Sequence, residues 1–105
     1  MANEKKVSIH FDGKKVTVDP DLVPVSIEKE EHVFWTLIDD AKLVSIEFKT
    51  NPFDRTVEID STKKHATSTT VTNPNHKNKK FKYTVTVEDN VGKRFSLDPD
   101  VQVMP

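Results

Sequence analysis

Apolar and polar residues alternate along most of this chain, which is the pattern of β-strands that bury one face. The clearest case is Phe81–Glu88, where the alternation holds at all eight positions. Residues 42–49 alternate as well, and the pattern predicts that Val44, Ile46 and Phe48 face inward. Both segments are therefore predicted to be half-buried strands.

One segment, His32–Ile38, is apolar on both faces. Such a run predicts a central strand, because a central strand is covered on both sides. Val33, Trp35 and Leu37 are expected to enter the core, since alternate side chains of a strand share a face.

Turn residues separate the predicted strands. Asp12-Gly13 lies between two alternating segments and favours a two-residue hairpin turn that places Ile9 opposite Val16. Pro20 and Pro24 restrict the next segment to an edge strand or a crossover, because proline cannot donate to a central ladder.

The composition supports an all-β fold. The chain has 14 Val, 5 Ile and 11 Thr, but only 3 Ala and 4 Leu, and branching at Cβ favours strands over helices. Seven to nine short strands at this spacing predict a Greek-key β-sandwich. The 105 residues fit one domain, which we place at 1–105.

Several classes of protein are excluded or disfavoured. The chain has no cysteine, so disulfides, thiolate metal sites and a cysteine nucleophile are excluded. No apolar run is long enough to span a bilayer, and no membrane contact is expected. The start lacks the apolar core of a signal peptide, which favours a cytoplasmic location, although an exported protein without its leader would look the same.

The order of features over residues 20–103 resembles the cupredoxin family, the small copper sandwiches such as plastocyanin and azurin. The resemblance is carried by a Val-x-Trp strand (Val33, Trp35), an apolar-x-Phe strand (Ile46, Phe48), and a late stretch that begins at Tyr83 and contains Gly92. It implies a cupredoxin-like sandwich, with an immunoglobulin-like sandwich as the alternative.

The copper ligands of that family are missing. Its cysteine falls on Val85, its second histidine on Glu88, its methionine on Lys93, and its first histidine near Val44. A blue-copper centre needs a thiolate and two imidazoles, so type 1 copper is excluded and no cofactor is expected.

No catalytic or metal-binding residue is assigned. The two glycines, Gly13 and Gly92, both fall in turns, so neither a nucleophile elbow nor a phosphate-binding loop is present. The histidines are not spaced as a metal-binding pair, and we expect them to be surface residues. They are His10, His32, His65 and His76.

Two features are candidates for interaction surfaces. Phe34 and Ile38 are expected on the outer face of their strand. A pair of large apolar side chains on an outer face often marks a partner surface. The alternative is that the loop Asn51-Pro52-Phe53 covers them. The loop 73–80 is the second candidate, because it is rich in lysine.

In that loop Lys77, Lys79 and Lys80 could contact an acidic partner or an anion, and a solvated loop is the alternative. Lys63-Lys64-His65 is a smaller basic cluster that would join them if both lay at one end of the sandwich. Nucleic acid is not expected, because the chain has two arginines and the loop has no aromatic residue for base stacking.

The sequence does not specify a biological role. We expect a non-enzymatic binding or interaction module, with a protein partner or self-association through one of these surfaces. The alternative is a weak metal-binding or carrier protein that uses loop histidines and carboxylates.

Overall fold

A computed structural model describes residues 4–60 and 62–105, which form an all-β structure of two mixed sheets. In chain order the strands are β1 (Glu4–Phe11), β2 (Val16–Asp19), β3 (Leu22–Ser26), β4 (His32–Leu37), β5 (Lys42–Phe48), β6 (Glu58–Asp60), β7 (His65–Thr67), β8 (Lys80–Glu88), β9 (Arg94–Leu97) and β10 (Asp100–Met104). Positions 1–3 and 61, which the single-domain prediction includes, lie outside the described residues.

The two sheets pack into a β-sandwich. One sheet has the order β2-β1-β4-β7-β6, and the other has the order β3-β10-β8-β5, with β9 also paired to β8. Two pairings are parallel, β1 with β4 and β3 with β10, and the others are antiparallel. The chain passes from the first sheet to the second between β2 and β3, at the predicted proline-containing segment.

The predicted β-sandwich is confirmed, with ten strands in the described residues. Two of these strands, β6 and β7, have only three residues each. The Thr-rich segment 66–73 has a composition that favours a strand, but only its beginning is paired, in β7. Strand β4 is central, as its two apolar faces predict, and β3 is an edge strand.

The first hairpin has a different register from the predicted one. Phe11 lies opposite Val16, and Ile9 lies opposite Val18. The turn is centred one residue later than predicted, because the backbone N–H of Asp12 donates to the carbonyl of Lys15 at 3.3 Å. The shift keeps the same side chains inward, so the alternation alone could not reveal it.

In strand β5 the side chains that face the core are not all the predicted ones. Leu43 and Ile46 are buried, whereas Val44 is only partly buried. A β-bulge lies between Leu43, which pairs with Val87, and Ser45, which pairs with Thr86. The extra residue in the bulge reverses which residues face the core on the N-terminal side of the bulge.

The core joins the sheets through an aromatic cluster. Trp35 of β4 and Tyr83 of β8 have ring centroids 5.6 Å apart, and the Trp35 Nε1–H donates to the Tyr83 hydroxyl at 3.0 Å. Phe48 packs on Tyr83 at 5.0 Å, and Phe53 completes the cluster against Trp35 and Phe48. Burial raises the pKa of Tyr83 to about 12, because the phenolate cannot be solvated there.

Candidate interaction surfaces

The lysine-rich loop is folded against the second sheet. Asn73 caps a single 3-10 turn at Pro74–His76, with its side-chain oxygen accepting from the Asn75 N–H at 2.9 Å. The Asn78 N–H then donates to the Val103 carbonyl at 2.8 Å. Asn78 has a positive φ of 63°, which asparagine tolerates better than most residues and which turns the chain back toward β8.

Two further contacts hold this loop in place. The Val103 N–H donates to the Lys79 carbonyl at 3.0 Å, so Val103 of β10 holds the two consecutive loop residues 78 and 79. The ring of His76 packs edge-on against Phe81, with centroids 4.9 Å apart. The lysine side chains of the loop therefore extend from a backbone that the second sheet fixes.

The tertiary structure adds a lysine from a distant part of the chain. Lys49, Lys80 and Lys82 line a shallow cavity of about 240 Å³ together with Thr50 and Phe81. Lys49 directly follows β5, whose last residue is paired with β8. We call Lys49, Lys77, Lys79, Lys80 and Lys82 together the lysine surface; all five are exposed.

The charge of the lysine surface is poorly compensated. Lys82 lies 3.6 Å from an oxygen of Asp100 and donates to the Asp98 carbonyl at 3.2 Å. Within residues 4–60 and 62–105, the other four lysines have no carboxylate within 4.0 Å. Residues 73–82 contain four lysines and no acidic residue, although the whole chain has a net charge of -1.

The second basic cluster lies at the other end of the sandwich. The Leu37 N–H, at the end of β4, donates to the Lys64 carbonyl at 2.8 Å, and Lys64 Nζ donates to the Asp39 carbonyl at 2.9 Å. The lysine-rich loop is bound to the end of β10, next to the start of β4. The two clusters therefore do not form one patch.

Phe34 and Ile38 do not form a continuous apolar patch. Phe34 is half-buried, and its ring packs on His65 with centroids 5.0 Å apart. Ile38 is 54% exposed, just beyond the end of β4, and Thr36 lies between them on the same face. In the loop that could have covered them, Phe53 is buried in the core against Trp35.

Each of the four histidines has different neighbours. His10 lies 3.7 Å from Asp39, and His32 lies 3.9 Å from Glu4. His65 and His76 pack on aromatic rings. In the part of the chain that the structure describes, no three metal-ligating side chains come together.

The positions of the cupredoxin ligands do not fit a copper ion. Val85 is fully buried in the core, Glu88 forms an ion pair with Arg94 at 3.6 Å, and Lys93 Nζ lies 5.3 Å from the centroid of the Phe95 ring. These side chains offer a methyl group, a paired carboxylate and a cation where the family has three soft or borderline ligands.

The loop lysines were predicted from the sequence to form a candidate surface, but Lys49 was not. Lys49 reaches the lysine surface because β5 pairs with β8, which brings together residues more than 30 positions apart in the chain.

Among the described residues, no helix has the length and apolarity needed to cross a membrane. No protein-family model matches the chain, and a search of curated proteins finds no relative.

Proposed function

We propose that this chain is a non-enzymatic interaction module that binds an acidic protein partner through the lysine surface. The observation that carries the proposal is the arrangement of Lys49, Lys80 and Lys82 around one cavity, beside a loop whose backbone is fixed. Uncompensated charges of one sign attract a partner of the opposite sign and steer its approach.

An acidic protein suits this surface better than a nucleic acid. Single-stranded nucleic acid binding uses exposed aromatic rings for stacking, and arginine for planar contacts to bases and phosphates. The aromatic residue of the segment, Phe81, is buried beneath His76, and the segment has no arginine. Flexible lysine ammonium groups are suited to carboxylates of varied geometry.

The fold we propose for this module is cupredoxin-like. An immunoglobulin sandwich consists of two antiparallel sheets, whereas both sheets here contain a parallel pairing. The residues that carry the resemblance also meet: Trp35, Phe48 and Tyr83 belong to one aromatic cluster. The resemblance adds no copper chemistry, because the chain has no cysteine.

The proposal is tested with a short polyglutamate peptide as the probe. We expect amide NMR shifts at residues 49 and 77–82 on titration, and weaker binding as NaCl is added, because salt screens exposed charges. Reversing three charges in Lys77→Glu/Lys79→Glu/Lys80→Glu is expected to weaken binding by about tenfold or more.

The matched control reverses three exposed lysines at the other end, in Lys14→Glu/Lys15→Glu/Lys63→Glu. The two variants have the same net charge, so they separate a local surface from a general effect of charge. Equal loss of binding in both variants would contradict the proposal, as would tighter binding of a single-stranded oligonucleotide than of the peptide.

A further inference from the structure

Strand β5 is the longest edge strand of the described fold. It has seven residues, whereas the other strands at the ends of the sheets, β2, β3 and β6, have four, five and three. β3 is also interrupted by Pro24. A long edge strand presents a row of backbone groups to which another strand can pair.

The free edge of β5 has no backbone partner within the described residues. Its backbone pairs with β8 alone, and none of the turn or loop hydrogen bonds includes a residue of β5. Beside it lies a groove of about 280 Å³, lined in part by Ile46, Phe48 and Val57. The groove separates the edge from the segment that leads to β6.

The charges along this edge are complementary to themselves. In an antiparallel pair of two β5 strands, Lys42 of each copy can lie opposite Glu47 of the other, and Asp40 opposite Lys49. All four side chains are exposed, and within the described part of the chain none has an ion-pair partner within 4.0 Å.

In the same register, inward-facing residues of one copy lie opposite inward-facing residues of the other, and outward-facing residues lie opposite outward-facing ones. It places Leu43 opposite Ile46, and both are buried on the inner face. Lys42 and Glu47 share the outer face, since their partners in β8 are outward-facing residues. Sliding one strand by two residues would instead bring Lys42 opposite Lys49, or Asp40 opposite Glu47, and like charges directly opposite are destabilising.

We propose that two copies of this chain form a symmetric dimer through antiparallel pairing of their β5 strands. The two-fold axis passes beside the bulge, between Val44 and Ser45 of both copies. The ladder forms on either side of the bulge, where Leu43 meets Ile46, and the second sheets of the two copies join into one continuous sheet.

The test is a charge exchange followed by light scattering after gel filtration. The wild type is expected at twice the monomer mass. Lys42→Glu sets two carboxylates opposite each other at each cross-strand pair, and Glu47→Lys sets two ammonium groups there. Each variant alone is therefore expected to raise the dimer dissociation constant by about tenfold or more. Mixing the two variants restores two attractive pairs and is expected to restore the dimer.

Two control reversals lie at shorter edge strands, Lys15→Glu just before β2 and Glu58→Lys at the start of β6, and both variants are expected to remain dimeric. Far-UV circular dichroism confirms that each variant is folded. A monomeric wild type overturns the proposal, and so does a mixture that stays monomeric, or a control that dissociates as readily as Lys42→Glu. Lys49 belongs to both surfaces, but the exchanged residues Lys42 and Glu47 lie outside the lysine surface, so binding of the polyglutamate peptide is measured separately and its loss leaves the dimer test intact.

Discussion

The hydrogen bond between Trp35 and Tyr83 gives the sharpest test of how this fold is stabilised. Trp35 lies in the first sheet and Tyr83 in the second, and they are 0% and 1% exposed. Tyr83→Phe removes the oxygen that accepts from the buried indole N–H at 3.0 Å. No buried side-chain nitrogen or oxygen of the described residues lacks a partner, so the variant creates an orphaned donor where there was none.

The magnitude follows from that orphaned group. A buried donor that loses its acceptor costs about 1–3 kcal/mol, while the missing oxygen leaves too little space for a large cavity term. For a domain with a total stability of roughly 5–15 kcal/mol, this is a substantial fraction. With a urea m-value of about 1–2 kcal/mol/M, the unfolding midpoint is expected to fall by roughly 1 M.

The assay is urea unfolding followed by far-UV circular dichroism, for Tyr83→Phe, Trp35→Phe and the double variant. Tyr83→Phe is expected to cost less in the Trp35→Phe background, because no indole N–H remains to be satisfied. Thr86→Val, an outward-facing change on the same strand, is the control and is expected to alter stability by less than about 0.5 kcal/mol. Equal costs of Tyr83→Phe in both backgrounds would show that the lost hydrogen bond to Trp35 is not what destabilises the variant.

Three further outcomes follow from the structure. Burial raises the pKa of Tyr83 from 10.0 to about 12, so the contribution of the neutral Tyr83 hydroxyl to the free energy of unfolding is complete below pH 10 and is lost as the pH rises from 10 to 12. The difference in stability between wild type and Tyr83→Phe, measured by urea unfolding at stepwise higher pH, is therefore expected to shrink in that range. Ser68→Ala is expected to cost about 1–3 kcal/mol on urea unfolding, because the buried Ser68 hydroxyl accepts from the Val33 N–H at 2.8 Å. Asp39→Ala is expected to increase amide hydrogen exchange at Phe11, whose N–H donates to the Asp39 carboxylate at 2.7 Å; unchanged exchange would contradict this assignment.

The strands of this protein could be predicted from the sequence because each depends on a local pattern. β8 was placed to within one residue by its alternation, and β4 was identified as central by its two apolar faces. The register of the first hairpin was missed because a shift by two positions leaves the same side chains buried. The inward face of β5 was missed because a bulge reverses the alternation without a glycine or proline to mark it.

For the candidate surfaces too, some features are visible in the sequence and others depend on the fold. The basic character of residues 73–82 is a property of the sequence, and so is the absence of any thiolate for copper. Whether the two basic clusters meet, whether Phe34 is covered, and which strand has a free edge depend on strand order. These are contacts between residues distant in the chain, which local spacing does not determine.

Strand formation is readable from the order of residues alone, because side-chain periodicity and branching at Cβ act within a few residues of one another. The pairing of the strands emerges in the folded chain, and with it the position of Lys49 beside the loop lysines and of β5 at an edge. Backbone hydrogen bonds between strands are alike for nearly all side chains, so the order of the strands is selected by how the whole core packs.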